Sequence, residues 1–138
     1  MQQSTEHIDE LPVLTLIGGA IQWVSPSADL FAVARELAAR EVGVLVVGDS
    51  GSVQGVISER DIVRAVAAGR DLVTTRANEC ATSQLVWCDA ESTIAEVANE
   101  MMERYVRHVL VEDDGNLVGF VSARDVLGAY ATGSLELE

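Results

Sequence analysis

The sequence contains no lysine. All nine of its cations are arginine, set against 22 acids, and the net charge is −13. So acidic a chain lacks the basic footprint of general nucleic-acid binding, and no nucleic-acid partner is expected. Without lysine there is also no phosphate loop of the Gly-x-x-x-x-Gly-Lys type. Cysteine is scarce: Cys80 and Cys88 do not make a disulfide framework, and with His7 and His108 they show no metal-ligand spacing. Long hydrophobic runs are missing too, and no window approaches the roughly 18 apolar residues of a membrane span. The first ten residues are polar and acidic, without the basic-then-apolar layout of a secretory signal. These absences lead us to expect a reduced, cytoplasmic protein that needs no membrane. No Ser-His-Asp or Cys-His arrangement is evident, and His108, the one plausible base, has no evident orienting acid. An enzyme is therefore not expected, nor a resident metal or cofactor.

What is present is a duplication. The stretch Gly55-Val56-Ile57-Ser58-Glu59-Arg60-Asp61 returns as Gly119-Phe120-Val121-Ser122-Ala123-Arg124-Asp125, an offset of 64 (119 − 55). At that offset Trp23 falls on Trp87, Glu36 on Glu100, Arg40 on Arg104 and Gly51 on Gly115. Fourteen of the 43 pairs from Trp23 to Ala65 are identical, without a gap. Chance would give roughly three. Length allows one sound core, so the two copies are expected to build it together.

Each copy reads as β-α-β-β-α. A short strand surrounds the tryptophan, at residues 20–24 and 85–88. The helix that follows has Leu30, Val33, Ala34, Leu37 and Ala38 on one face, with Asp29 able to cap it. In the second copy the face is Ile94, Val97, Ala98, Met101 and Met102, and Thr93 to Glu96 is a capping box. Two valine-rich strands then flank a turn, Asp49-Ser50-Gly51 or Asp113-Asp114-Gly115-Asn116, whose residues tolerate unusual backbone angles. A second helix starts at Ser58 or Ser122 and is expected to end near Gly69 or Gly133. The chain thus divides into a segment 1–19, a first repeat 20–69, a linker 70–84 with a short helix over 78–81, a second repeat 85–133 and a loose tail 134–138. The apolar patch 11–17 is expected to pack as an extra turn or strand. Neither repeat can bury its sheet alone, so an α/β (α+β) fold with the two repeats packed sheet to sheet is expected.

The doubled Gly-x-x-Ser-x-x-Asp, in this context, resembles the CBS domain pair, named for cystathionine β-synthase. The resemblance covers roughly residues 20–133. It departs from the family where a short helix commonly ends in methionine before each first strand: Leu16-Ile17-Gly18-Gly19 and Glu79-Cys80-Ala81 stand there. The usual proline in the strand after the first helix is also absent, near Val46 and Leu110.

The resemblance implies a regulatory module with two pseudo-twofold clefts between the repeats. Such clefts bind adenosyl compounds: AMP, ADP or ATP, sometimes S-adenosylmethionine or NAD. It implies a homodimer, and a sensor of energy or metabolites acting in trans on an effector protein that the sequence does not identify. The residues suit that chemistry. Asp61 and Asp125 can accept hydrogen bonds from ribose hydroxyls. Ser58 and Ser122 stand at helix N-termini, where hydroxyls and free N–H groups favour a phosphate. Arg60 and Arg124 add charge-assisted bonds, and Gly55 and Gly119 let backbone pass close to a ligand. Arg107 and His108 replace Gly43 and Val44, so only one cleft gains a basic strand start. The alternative is a ligand-free protein-interaction scaffold in which Ser-x-x-Asp only caps helices. Trp23 and Trp87 invite a stacking role, but repeated tryptophans are more often core.

Overall fold

The computed structural model describes residues 8–17, 20–49 and 52–136. They form two compact units. One is Ile21–Leu85; the other combines both ends of the chain, Met1–Ala20 with Val86–Glu138.

The first unit contains β1 (Trp23–Val24), α1 (Leu30–Arg40), β2 (Val44–Asp49), β3 (Ser52–Ser58), α2 (Glu59–Ala67) and the short α3 (Ala77–Cys80). The second contains β4 (Trp87–Asp89), α4 (Ile94–Arg104), β5 (His108–Asp113), β6 (Asn116–Ser122) and α5 (Ala123–Glu136). Each unit has a three-stranded sheet, β1-β2-β3 or β4-β5-β6, with the first strand parallel to the second and the third antiparallel. The expected β-α-β-β-α order is present in both, as a mixed α+β fold. No described helix is long and apolar enough to cross a membrane.

Local chemistry explains the boundaries. The Asp29 carboxylate accepts from the Ala32 N–H at 2.7 Å and starts α1. At α4 the Glu96 N–H donates to Thr93 Oγ1 at 3.1 Å, while the Thr93 N–H donates to Glu96 Oε1 at 2.9 Å. Leu30, Val33 and Leu37 are buried on α1, as are Ile94, Val97 and Met101 on α4. Met102 is not part of that face: it is 74% exposed, because the stripe toward the sheet closes at Met101. The β5–β6 turn uses Asp114 (φ 54°) and Gly115 (φ 82°), the paired positive angles of a tight hairpin. In the β2–β3 turn, Ser50 and Gly51 lie outside the described residues. α2 stops at Ala67, with Gly69 at φ 76° just beyond. α5 continues past Gly133 to Glu136, beyond the end the glycine suggested.

The patch before the first repeat is a 3-10 turn, Val13–Leu16, and it packs on the second repeat rather than the first. Pro12 bridges Thr93, the Val13 N–H donates to the Ser92 carbonyl at 2.6 Å, and the Ile94 N–H donates to the Leu11 carbonyl at 2.9 Å. Val13 is fully buried in one cluster with Ile94 and Val97. The Tyr130 hydroxyl donates to the Asp9 carboxylate; partial burial and then this bond push Tyr130 up to about 12. The segment between the repeats does the reciprocal thing. Asp29 bridges Arg76, the Leu30 N–H donates to the Thr75 carbonyl at 3.0 Å, and Val56 bridges Thr82. At the offset of 64, Arg76 corresponds to position 12 (76 − 64) and Thr93 to position 29 (93 − 64), so the two bridges are one contact made twice. Each repeat is approached by a segment that packs on the other.

Two consequences are measurable. Val13→Ala should cost about 2 kcal/mol, as a buried truncation does. Amide exchange should rise in α4 and β6 of the second repeat and stay unchanged in β2 and β3; a change confined to the first repeat would contradict the exchange of segments. Tyr105 ends α4 in the left-handed region at φ 56° and is 93% exposed. Tyr105→Gly should therefore gain about 0.5–1 kcal/mol in thermal unfolding, because glycine takes that angle freely and no packing is lost.

Candidate functional site

Strand alternation decides which residues can meet. In the second unit Val109, Val111 and Val121 join the helix-side core. The alternate residues His108, Leu110, Phe120 and Ser122 therefore share the opposite face. The ladder pairs His108 with Ser122 and Leu110 with Phe120, and the parallel register sets Trp87 beside Leu110. The first unit repeats this with Val44 opposite Ser58, Val46 opposite Val56, and Trp23 beside Val46. Both tryptophans thus stand off the helix-side cores; Trp23 is half-buried and Trp87 is 38% exposed.

The strand then turns directly into a helix, and the motif serine caps it. In the first unit the Ser58 N–H donates to Asp61 Oδ2 at 2.8 Å, and the Asp61 N–H approaches Ser58 Oγ at 3.4 Å. The Ser58 hydroxyl also donates to Asp61 Oδ2 at 3.1 Å. In the second unit the Ser122 N–H donates to Asp125 Oδ2 at 2.9 Å and the Asp125 N–H donates to Ser122 Oγ at 3.0 Å. Among the described residues nothing accepts the Ser122 hydroxyl proton. The caps are therefore real, and they differ: one hydroxyl is turned inward to its aspartate, the other is not.

The strand start before each hairpin closes against the same spot. The Ala123 N–H donates to the Arg107 carbonyl at 2.8 Å, and the Glu59 N–H to the Gly43 carbonyl at 3.0 Å. Arg107, His108, Ser122 and Asp125 are thus brought together in the second unit. His108 also meets Phe120 edge to face, with ring centroids 6.0 Å apart. In the first unit the equivalent strand start is Gly43 and Val44, which carry no charge. Arg60 and Arg124 are exposed on the first turns of α2 and α5. Among the described residues Arg60, Arg107 and Arg124 make no ion pair.

Two residues went unnoticed in the sequence. Arg64 comes to 3.9 Å from Asp61 Oδ1, and its counterpart at the offset is Gly128. Arg64 thus adds a guanidinium near Asp61 in the first unit, while in the second the additional arginine of the sequence, Arg107, stands at the strand start whose carbonyl accepts the Ala123 N–H. Phe120 stands where the first repeat has Val56. Both differences are visible as mismatches in the aligned repeats.

The motif glycines meet protein where the sequence suggested a ligand. Both are buried on the helix-side face. A Cβ on Gly55 would lie 2.5 Å from the Thr82 carbonyl oxygen, and one on Gly119 would lie 2.5 Å from Ile17 Cγ2. No three described His, Cys, Asp or Glu side chains are grouped to hold a metal. Burial first, and then Asp89, Glu100 and Glu112, push the Cys88 thiol up to about 11, so it is protonated at neutral pH and a poor nucleophile.

The same architecture occurs in known proteins. The CBS domain family matches this chain twice, over residues 19–68 and 77–132. Hypoxic response protein 1 of Mycobacterium tuberculosis is 33% identical over 113 residues, spanning 80% of this chain and 79% of its own length. A CBS-domain containing protein from Agrobacterium tumefaciens is 32% identical in its crystal structure, with a TM-score of 0.79 over 87% of this chain and 93% of that one. A CBS domain protein from Pyrobaculum aerophilum, solved in complex with AMP, is 29% identical, with a TM-score of 0.75 over 88% and 99% of the two chains. Twofold sequence repetition, two matching sheets and a capped Ser-x-x-Asp helix start in each unit all agree with these relationships: the chain belongs to the CBS domain family, as a tandem pair.

Proposed function

We propose that this CBS pair is a cytoplasmic regulatory module that binds an adenine nucleotide at its Ser-x-x-Asp helix starts, works as a homodimer without a resident cofactor, and reports occupancy to an effector protein. CBS pairs are in general regulatory and non-catalytic modules, and one relative is an AMP complex. The observation that carries the reading is the Ser122 start. Among the described residues its hydroxyl proton has no acceptor, Asp125 Oδ1 accepts nothing, and neither Arg107, whose carbonyl accepts the Ala123 N–H, nor Arg124, on the first turn of α5, makes an ion pair. A carboxylate offers about four acceptor positions, so Asp125 can cap its helix and still accept from a ribose. The helix N-terminus and the two guanidinium groups suit a phosphate.

The two starts are unequal in this reading. Glu59 opens α2 beside Ser58, whereas neutral Ala123 opens α5 beside Ser122. The first start carries Glu59, Arg60, Asp61 and Arg64; the second carries Arg107, His108, Arg124 and Asp125. The second favours an anion and should bind more tightly. S-adenosylmethionine and NAD are the less favoured adenosyl ligands, because a single phosphate already uses the charges at this start.

Calorimetry of nucleotide-stripped protein with AMP, ADP, ATP, S-adenosylmethionine and NAD tests the proposal. We expect heat from at least AMP, with the tighter event lost in Asp125→Ala and the weaker in Asp61→Ala. Each substitution should also cost about 1 kcal/mol, as loss of a cap contact does. Folded protein that gives no heat with any of the five would sink it. The scaffold reading has its own supporting observation, the complete capping box at Ser58 with no ligand required. It predicts that both alanine variants melt earlier while partner capture is unchanged and no nucleotide shifts the melting temperature.

A further inference from the structure

We propose that Ile17, which precedes the first repeat in sequence, is a positioning residue for the Ser122–Asp125 helix start of the second. The observation is the contact at the motif glycine. A Cβ built on Gly119 would meet three carbons of Ile17, at 2.5 Å (Cγ2), 3.3 Å (Cδ1) and 3.5 Å (Cγ1). Ile17 therefore sits in the space that any larger residue at position 119 would fill. Gly119 is paired with Val111 in the buried ladder and lies three residues before Ser122 on the same strand.

Ile17 is itself held. Its N–H donates to the Leu14 carbonyl at 3.1 Å, and the turn it follows is tied to the start of α4 through Pro12, Val13 and Leu11. Val13 and Ile8 are buried in the same cluster as Val121 and Val126, the residues flanking the Ser122–Asp125 turn. The side chain thus presses on β6 from a fixed base.

The first unit supplies an independent instance. Gly55 is covered by the Thr82 carbonyl oxygen at 2.5 Å and by Ala81 Cβ at 3.4 Å. Ala81 is the counterpart of Ile17 at the repeat offset (81 − 64 = 17). Thr82 is also locked to β3: the Val56 N–H donates to its carbonyl at 3.0 Å and its N–H donates to the Val56 carbonyl at 2.8 Å. In both units the glycine of Gly-x-x-Ser-x-x-Asp receives the segment that leads into the other repeat. Ile17 leads through residues 18–22 to β1, and Thr82 leads through residues 83–86 to β4. The end of each motif strand is therefore set by the segment that precedes the other repeat in the chain, and each such contact lies within one unit.

The affinity arm of the test rests on the nucleotide reading above; the exchange arm does not. Full-length Ile17→Ala, Gly119→Ala and the double variant are compared by thermal unfolding, by amide exchange across residues 117–125, and by AMP calorimetry. Gly119→Ala should speed exchange at residues 122–125 and weaken the tighter AMP event on the order of tenfold, the scale of an overpacked contact. Adding Ile17→Ala should restore most of both, since it empties the space the new methyl needs. Exchange at residues 56–61 should stay at its original rate in all three. If the double variant shows only the sum of the two single effects, Ile17 does not position this strand and the proposal is overturned. Gly119→Ala that lowers the melting temperature but leaves exchange at 122–125 and AMP affinity untouched overturns it too. Should Gly119→Ala fail to fold, recovery of folding in the double variant supports the contact and its absence refutes it. If the original protein binds no AMP, the nucleotide reading fails, and the exchange arm still decides the role of Ile17.

Discussion

The antiparallel ladder between the second and third strands of each repeat governs the rest of the molecule. It pairs Val44 with Ser58 and His108 with Ser122. Those pairings bring a strand start and a helix start to one point, and the carbonyl of the residue before the ladder accepts the first helical N–H. Sliding the register by one residue would turn Ser122 into the core and Val121 out of it. Burial prevents the slip, because Val109, Leu110, Val111 and Val121 are all 0–1% exposed. Apolar side chains that face both sides of a strand hold a polar cluster at its end.

The helix starts show how one group of atoms can serve fold and ligand. A helix must satisfy its first N–H groups, and Ser-x-x-Asp does so reciprocally in both units. The same requirement gathers a hydroxyl, a carboxylate and spare N–H groups at one point. Capping consumes some of the acceptor capacity of each aspartate and leaves the remainder. Structural and binding roles are therefore not rivals here, and the alanine substitutions separate them by stability against affinity.

Duplication supplied two copies, and later differences made them unlike. A glutamate opens one helix and an alanine the other; a second arginine comes from the helix in one and from the strand start in the other. The orientation of the serine hydroxyl differs as well. Glu59, Ala123, Arg64 and Arg107 all lie outside the ladder strands, so these charge differences alter the local field at little cost to the fold.

Much of this was legible in the sequence. The 64-residue offset identified the repeat, the apolar spacing identified α1 and α4, and Asp29, Thr93, Ser58 and Ser122 announced their helices, because these signals are local and depend on neighbouring residues alone. The unequal strand starts, Gly43-Val44 against Arg107-His108, were legible for the same reason. Other features were not. Nothing local tells Met102 from Met101, or places Arg64 beside Asp61, since which edge of a helix stripe is covered depends on what packs there. Above all, the sequence alone could not say that the segment before each repeat packs on the other, or that Gly119 is small because Ile17 occupies its side-chain space. Local propensity and periodicity settle which elements form and where they begin. Only the tertiary structure chooses their neighbours, because that choice is made by burying apolar surface between residues far apart in the chain.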